Sequence, residues 1–298
     1  MPAPRHAADL ADAVIGWYDA HRRDLPWRSA TATPWAVLVS EVMLQQTPVA
    51  RVLPAYLAWL ARWPTPQALA ADQPGAAVRA WGRLGYPRRA LRLHECATAI
   101  TERHGGVVPS DLTDLLALPG VGAYTGRAVA SFAFGQRHAV VDTNVRRVLT
   151  RAVTGDGDSG PSTAARDAEL AEPLLPVEPA VNARFGVAVM ELGALVCTAR
   201  SPRCADCPLA STCAWRLAGK PAYLGPVRRP QGYAGTDRQV RGNLLAVLRD
   251  ASGPVPRATL DAVWADPVQR GRALAGLIAD GLVDPLDDEM FALPAARR

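Results

Sequence analysis

Four cysteines near the end of a long helical stretch, Cys197, Cys204, Cys207 and Cys213, have six, two and five residues between them. A segment this short cannot close four separate loops, so the thiolates converge on one metal centre. Four thiolates serve either a tetrahedral zinc or a 4Fe–4S cubane. Zinc sites usually come as two short-spaced pairs. Here a lone Cys197 stands ahead of a tight Cys204/Cys207/Cys213 group, which suits the wider corners of a cubane. A 4Fe–4S cluster is expected, with zinc as the alternative. The fifth cysteine, Cys96, lies on an amphipathic segment and is expected to pack.

A chain of 298 residues, 49% of them hydrophobic, has material for two or three domains. No apolar run approaches the roughly eighteen residues of a membrane span, so no membrane association is expected. The stretch from Met1 to Leu10 has Arg5 and His6 but no apolar segment behind them, so no signal peptide is evident. With the clustered thiols, this points to a reducing cytoplasmic location at the nucleoid. The net charge of +5 favours a polyanionic partner. The basic side chains are almost all arginine, and Lys220 is the only lysine.

From Asp9 to about Trp215 the pattern is one of helix-length periodic segments punctuated by Pro and Gly, which reads as mainly α. Residues 219–235 are rich in Pro, Gly and Arg without apolar periodicity and read as a linker. The tail, 236–298, predicts helices over Asp237–Arg249, Arg257–Trp264 and Pro267–Asp280. Two short strands follow, Leu282-Val283 and Met290 to Leu293, around an acidic turn. That is the order of a winged-helix module, and a small packing domain would read the same way. Asp284, Asp287, Asp288 and Glu289 would make the wing acidic, which argues against its lying on phosphate.

Leu118-Pro119-Gly120-Val121-Gly122 lies between two helical segments. Glycines so placed let the backbone take positive φ and aim N–H groups at an anion from the start of the second helix. One DNA phosphate would fit there, and a plain helix-to-helix turn is the alternative. About twenty residues on, Val140-Val141 leads into Asp142, a carboxylate costly in a cleft unless it has work or partners. It would also N-cap the next helix. A second acid, Glu41, follows Val37 by four residues and Leu38 by three, on the apolar stripe of a helix capped by Thr33 with Pro34 at its first position. A carboxyl group held there is expected to have a raised pKa, as a general acid needs.

Ser40-Glu41-Val42-Met43-Leu44-Gln45-Gln46-Thr47, Leu25-Pro26-Trp27-Arg28, Leu118 to Thr125 and Met190 to Thr198, with the cysteine spacing, resemble the MutY-type adenine DNA glycosylases of the endonuclease III, helix-hairpin-helix superfamily. The resemblance covers roughly residues 9–220. It implies a two-lobed helical fold, a six-helix lobe of about 30–137 and a cluster lobe of about 1–29 with 138–218, acting as a monomer on double-stranded DNA. Adenine opposite 8-oxoguanine or guanine would be flipped into a pocket and excised. By residue matching, Glu41 would protonate adenine N7, and Asp142 would stabilise the oxocarbenium-like sugar. Tyr124 and Asn144 would support them, while Trp27 and Arg28 would lie at the substrate. Leu44, Gln46 and Tyr86 would wedge into the stack, and Gly120, Val121 and Gly122 would hold phosphate.

Three departures stand out. Thr143 occupies the place where the family commonly has glycine, Val187 stands where a Gln or Glu often contacts the adenine, and the usual Nudix-like domain is not in this sequence. A thymine or uracil mismatch glycosylase, or a bifunctional endonuclease III, would share the scaffold. The bifunctional enzymes carry a lysine where this chain has Tyr124, and a thymine enzyme is not expected to need Glu41. A non-catalytic iron–sulfur DNA regulator would have no use for both acids.

Overall fold

The computed structural model describes residues 4–158, 160, 163–223 and 232–295. In chain order its helices are α1 (Pro4–His21), α2 (Pro34–Leu44), α3 (Val49–Arg62), α4 (Pro66–Ala70), α5 (Pro74–Trp81), α6 (Arg88–Arg103), α7 (Leu112–Leu116), α8 (Ala123–Phe134), α9 (Thr143–Leu149), α10 (Ala164–Ala171), α11 (Pro179–Leu195) and α12 (Ala214–Leu217). The tail adds α13 (Asp237–Asp250), β1 (Val255–Pro256), α14 (Arg257–Asp261), α15 (Pro267–Ala279), β2 (Asp284–Pro285) and β3 (Met290–Ala292). The fold is therefore mainly α with a winged-helix-like tail. Of the expected linker, residues 224–231 lie outside the described residues.

Two compact units emerge. One comprises Met1–Val37, Ser110–Leu116 and Val121–Arg228; the other Leu38–Pro109, Ala117–Gly120 and Arg229–Arg298.

The first unit is organised by α1, α9 and α11. Val14 and Tyr18 of α1, Val145, Val148 and Leu149 of α9, and Phe185, Val189 and Leu192 of α11 close one apolar cluster. α9 is short but well started: the Asp142 carboxylate accepts the Val145 amide at 2.7 Å, filling one of the donors a helix start leaves unpaired. It then runs into a single π turn, Thr150–Thr154, a widening that often marks a working site.

In the second unit, Trp59 meets Trp63 and Trp81 edge to face at 4.6 and 5.6 Å, the favoured geometry for aromatic quadrupoles. Cys96 is buried on α6, as its amphipathic setting predicts. The tail is part of this unit. Its core is Val240, Leu244, Leu248, Leu260, Leu277 and Phe291, and its three strands order β1-β3-β2, all antiparallel. α5 and α13 exchange arginines: Arg79 donates to the carbonyls of Arg249 and, at 2.7 Å, Ala251, while Arg249 returns a 3.1 Å bond to Val78 O. The Gly75 amide reaches Pro294 O at 2.7 Å, an approach that a side chain would block.

Two local expectations are corrected. The second tail helix ends at Asp261 rather than Trp264, and Leu282-Val283 are core residues preceding a strand at Asp284-Pro285. Strands of two or three residues are too short for alternation to register, which is also why β1 left no signal. The acidic turn is tight, with Asp288 and Glu289 at φ 57° and 54° and Leu286 N bonded to Met290 O at 2.8 Å.

Candidate active site

The hairpin between α7 and α8 starts from Asp111, whose carboxylate accepts the Thr113 and Asp114 amides at 2.7 and 3.2 Å. Gly126 lets α8 close on α7: a Cβ there would stand 3.0 Å from Leu116. Of the two loop glycines, only Gly120 uses left-handed backbone, at φ 77°. Gly122 is an extended N-cap at φ −90°, so the expectation of positive φ holds at the first glycine alone. Gly122 is exposed, with open space where a Cβ would go, and Val121 beside it is buried. Tyr124 stands half-buried on the first turn of α8.

Asp142 is held from several directions. Besides the Val145 amide, its Oδ2 accepts the Asn144 side-chain amide at 2.8 Å. Burial nevertheless wins, holding the carboxyl above the ordinary aspartate range against the downward pull of those hydrogen bonds and of Arg147. The Asn144 carbonyl oxygen in turn accepts Arg147 Nη2 at 2.8 Å, and Arg147 also donates to Gly193 O at 2.8 Å and Cys197 O at 2.7 Å. One turn further along the chain, Arg151 donates to Thr198 O at 2.8 Å and Ala199 O at 3.0 Å, touches Cys197 Sγ at 3.5 Å and stacks on Trp215 at 4.5 Å. Neither arginine stood out in the sequence. Their spacing of four on one helical face was the available signal. Gly193 is what brings α9 and α11 together, since a Cβ on it would lie 2.7 Å from that of Asn144.

Glu41 is buried, 6% exposed, on the last turns of α2. Thr33 Oγ1 accepts the Ala36 amide at 3.2 Å, as a cap should. At the helix end Leu44 is half-buried and beyond it Gln46 is exposed at φ 54°, while Tyr86 is exposed at φ 48°. A non-glycine residue in this region costs on the order of 1–3 kcal/mol and persists only where surrounding structure imposes it.

Trp27 is buried, and Arg28 is engaged with Glu191 of α11 at 2.9 Å. Arg23 donates to the same fully buried carboxylate through Nε at 2.8 Å, Nη2 at 2.6 Å and its backbone amide at 3.0 Å. Burial alone would raise Glu191; the Arg23 hydrogen bonds and the Arg28 charge outweigh it and hold the group at about 2. Glu191 thus anchors the segment carrying Trp27 and Arg28 to α11, a role its motif did not disclose.

All four expected metal ligands line one pocket, with Val196, Arg151 and Trp215 around them. Among the described residues no three Cys, His, Asp or Glu side chains are arranged to hold a single ion.

Residues 39–173 match the HhH-GPD superfamily base excision DNA repair protein family, and residues 197–213 match the iron-sulfur binding domain of endonuclease III. The chain is 56% identical over 295 residues to the adenine DNA glycosylase of Mycobacterium tuberculosis, covering 99% of this chain and 96% of that protein. It is 59% identical over 282 residues to the adenine DNA glycosylase of Mycolicibacterium smegmatis, covering 94% of each. The chain belongs to the adenine DNA glycosylases. A thermostable thymine-DNA glycosylase of known structure shares the fold at 28% identity and a TM-score of 0.64, over 72% of this chain and 98% of that one.

For an adenine DNA glycosylase with this loop, the cofactor is an iron–sulfur cluster, and the donor set fits it. Cys197, Cys204, Cys207 and Cys213 would be its ligands, as expected. Burial, and behind it the charge of the other three thiols, pushes the Cys207 thiol up to about 11, so Cys207 would ligate as a thiolate only with the positive charge of bound iron beside it. When bound, the cluster supplies a fixed charged centre to a loop with little core of its own.

Proposed function

We propose that this enzyme excises adenine mispaired with 8-oxoguanine or guanine, leaving an abasic site in an unbroken strand. The reaction is hydrolysis of the N-glycosyl bond. Glu41 delivers the proton that makes adenine a leaving group, and Asp142 faces the sugar as positive charge develops there. The observation that carries this reading is the half-buried Asp142 carboxylate, oriented by Asn144 and the Val145 amide: partial removal from water strengthens its pull on a cation. Tyr124 and Asn144 support these acids. Leu44, Gln46 and Tyr86 replace the flipped base in the stack, the Gly120 to Gly122 turn holds a phosphate, and Trp27 and Arg28 border the substrate. The lobes of about 30–137 and about 1–29 with 138–218, the 219–235 linker and the 236–298 tail are the functional divisions we assign to a monomer working at the nucleoid. No described helix is long and apolar enough to cross a membrane.

Monofunctional chemistry follows from Tyr124, because strand cleavage on this scaffold needs a lysine amine there and Lys220 is the chain's only one. Glu41→Gln is expected to slow single-turnover excision by about a thousandfold while mismatch affinity stays near wild type, and Asp142→Asn to be impaired to a similar degree. Excision within about threefold of wild type in either variant would remove that acid from the mechanism.

A further inference from the structure

Arg89, in the first turn of α6, is bound to two separate segments of the chain. Its Nη1 donates to Val42 O at 2.7 Å and Met43 O at 2.9 Å; its Nη2 donates to Thr47 Oγ1 at 2.8 Å and Gly85 O at 3.1 Å. The guanidinium also lies 5.1 Å from the Trp81 ring and 5.7 Å from that of Tyr86. Val42 and Met43 belong to the last turn of α2, where the helix ends at Leu44 and the final carbonyls lack helical partners. Arg89 fills that need with a positive charge, which the helix C-terminus favours. Gly85 precedes Tyr86, and its carbonyl is held from the other side by Trp81 Nε1 at 3.0 Å. Thr47 links the same two segments, its hydroxyl reaching Leu84 O at 3.3 Å.

What these segments share is strain. Gln46 and Tyr86 are the two non-glycine residues of the unit's first seventy positions held at positive φ, 54° and 48°, and both side chains are exposed. Backbone in that region relaxes unless its neighbours over-determine it. Arg89 grips the chain ahead of each of them with separate donors and also holds Thr47, whose hydroxyl reaches Gln45 O at 3.2 Å and Leu84 O at 3.3 Å. Burial lowers its pKa to about 10, so it keeps its charge at neutral pH.

We propose that Arg89 is a positioning residue for base extrusion, stapling the Leu44–Thr47 turn and the Gly82–Tyr86 loop so that Gln46 and Tyr86 present one preset wedge. This rests on the reading of Gln46 and Tyr86 as wedge residues. A lysine cannot replace it, because a single ammonium cannot fork between carbonyls of two segments.

The test uses the full-length enzyme with its cluster and the variants Arg89→Met and Arg89→Lys. Two substrates are compared, an adenine:8-oxoguanine duplex and a duplex in which the adenine faces an abasic site and costs little to extrude. 2-Aminopurine beside the adenine reports unstacking by fluorescence. Both variants should slow single-turnover excision from the mismatch by about tenfold or more and lose the fluorescence rise, while excision of the unopposed adenine changes by less than about threefold. Equal losses on both substrates, wild-type rates on both, or failure of both variants to fold would overturn the proposal, the last by making Arg89 a stability residue. Gln46→Ala and Tyr86→Ala test the underlying reading separately. If both keep the wild-type mismatch rate and fluorescence, the wedge assignment itself is wrong, whatever Arg89 does.

Discussion

Asp142 shows how one residue is given two tasks by its surroundings. As an N-cap it satisfies an amide; as a half-buried carboxylate it would meet a cation in the proposed reaction. The acid works only when ionised, and burial raises its pKa while the Asn144 amide opposes that rise. The acidic limb of the single-turnover pH profile should therefore fall at a higher pH than a free aspartate would give. Asn144→Ala deletes a hydrogen bond to the charged form, so the limb should move further up and the rate at a given acidic pH should drop. A limb that stays put or moves down in that variant would show that Asp142 does not control it. Glu191 is the counter-case: burial acts on it too, but two arginines reverse the outcome to about 2, leaving it charged as a structural anchor.

At the level of elements, α9 carries most of the proposed site in its unit. It carries Asp142 at its cap, Asn144 and Arg147 on its first turns, and the π turn with Arg151 behind them. Arginine donors at both levels reach carbonyls of the segment from Gly193 to Ala199, so α9 and the start of the cysteine loop are built on each other. This packing depends on the absence of a side chain at Gly193. Gly193→Ala would place a Cβ 2.7 Å from Asn144 Cβ and 2.9 Å from its carbonyl oxygen. Neither atom can swing away, so α9 must shift, at about 1–3 kcal/mol of stability and with slower excision. Thermal melting and single-turnover kinetics on that variant check it. Wild-type values in both would mean that the helices separate freely.

Across the whole chain, charge is unevenly distributed. The net is +5, yet Asp237 to Ala295 holds nine acidic against six basic side chains. Several of those bases are paired within the tail, Arg270 with Asp261, Arg272 with Asp237 and Arg241 with Asp280, and Arg88 of α6 also pairs with Asp280. Such a surface is a poor phosphate grip, whereas the reciprocal Arg79/Arg249 bonds and the Gly75 contact mark the tail as a brace. Gly75→Val, whose Cβ would lie 2.7 Å from Pro294 O, should lower stability by about 1–3 kcal/mol. The slope of log affinity for DNA against log salt should not change, because that slope counts phosphates neutralised. A shallower slope in that variant would assign phosphate contacts to the tail.

Cysteine spacing and helical periodicity were legible in the order of residues, as were the flanking motifs that carry the two proposed acids. Each depends on neighbours within a turn or a short loop, where covalent connection does the positioning. Thr33 and Asp142 acted as caps for the same reason. The division of labour among the arginines was not legible. Arg23, Arg28, Arg89, Arg147 and Arg151 look alike in a chain whose bases are nearly all arginine. What each does is decided by which unpaired carbonyl or buried carboxylate the fold brings within about 3 Å of its fork. The strained backbone at Gln46 and Tyr86 was equally silent, since no local preference favours it. Sequence alone thus determined the chemistry available to this glycosylase. Tertiary structure decided which side chains hold that chemistry in place, because long-range hydrogen bonds and close packing are set by contacts between segments far apart in the chain.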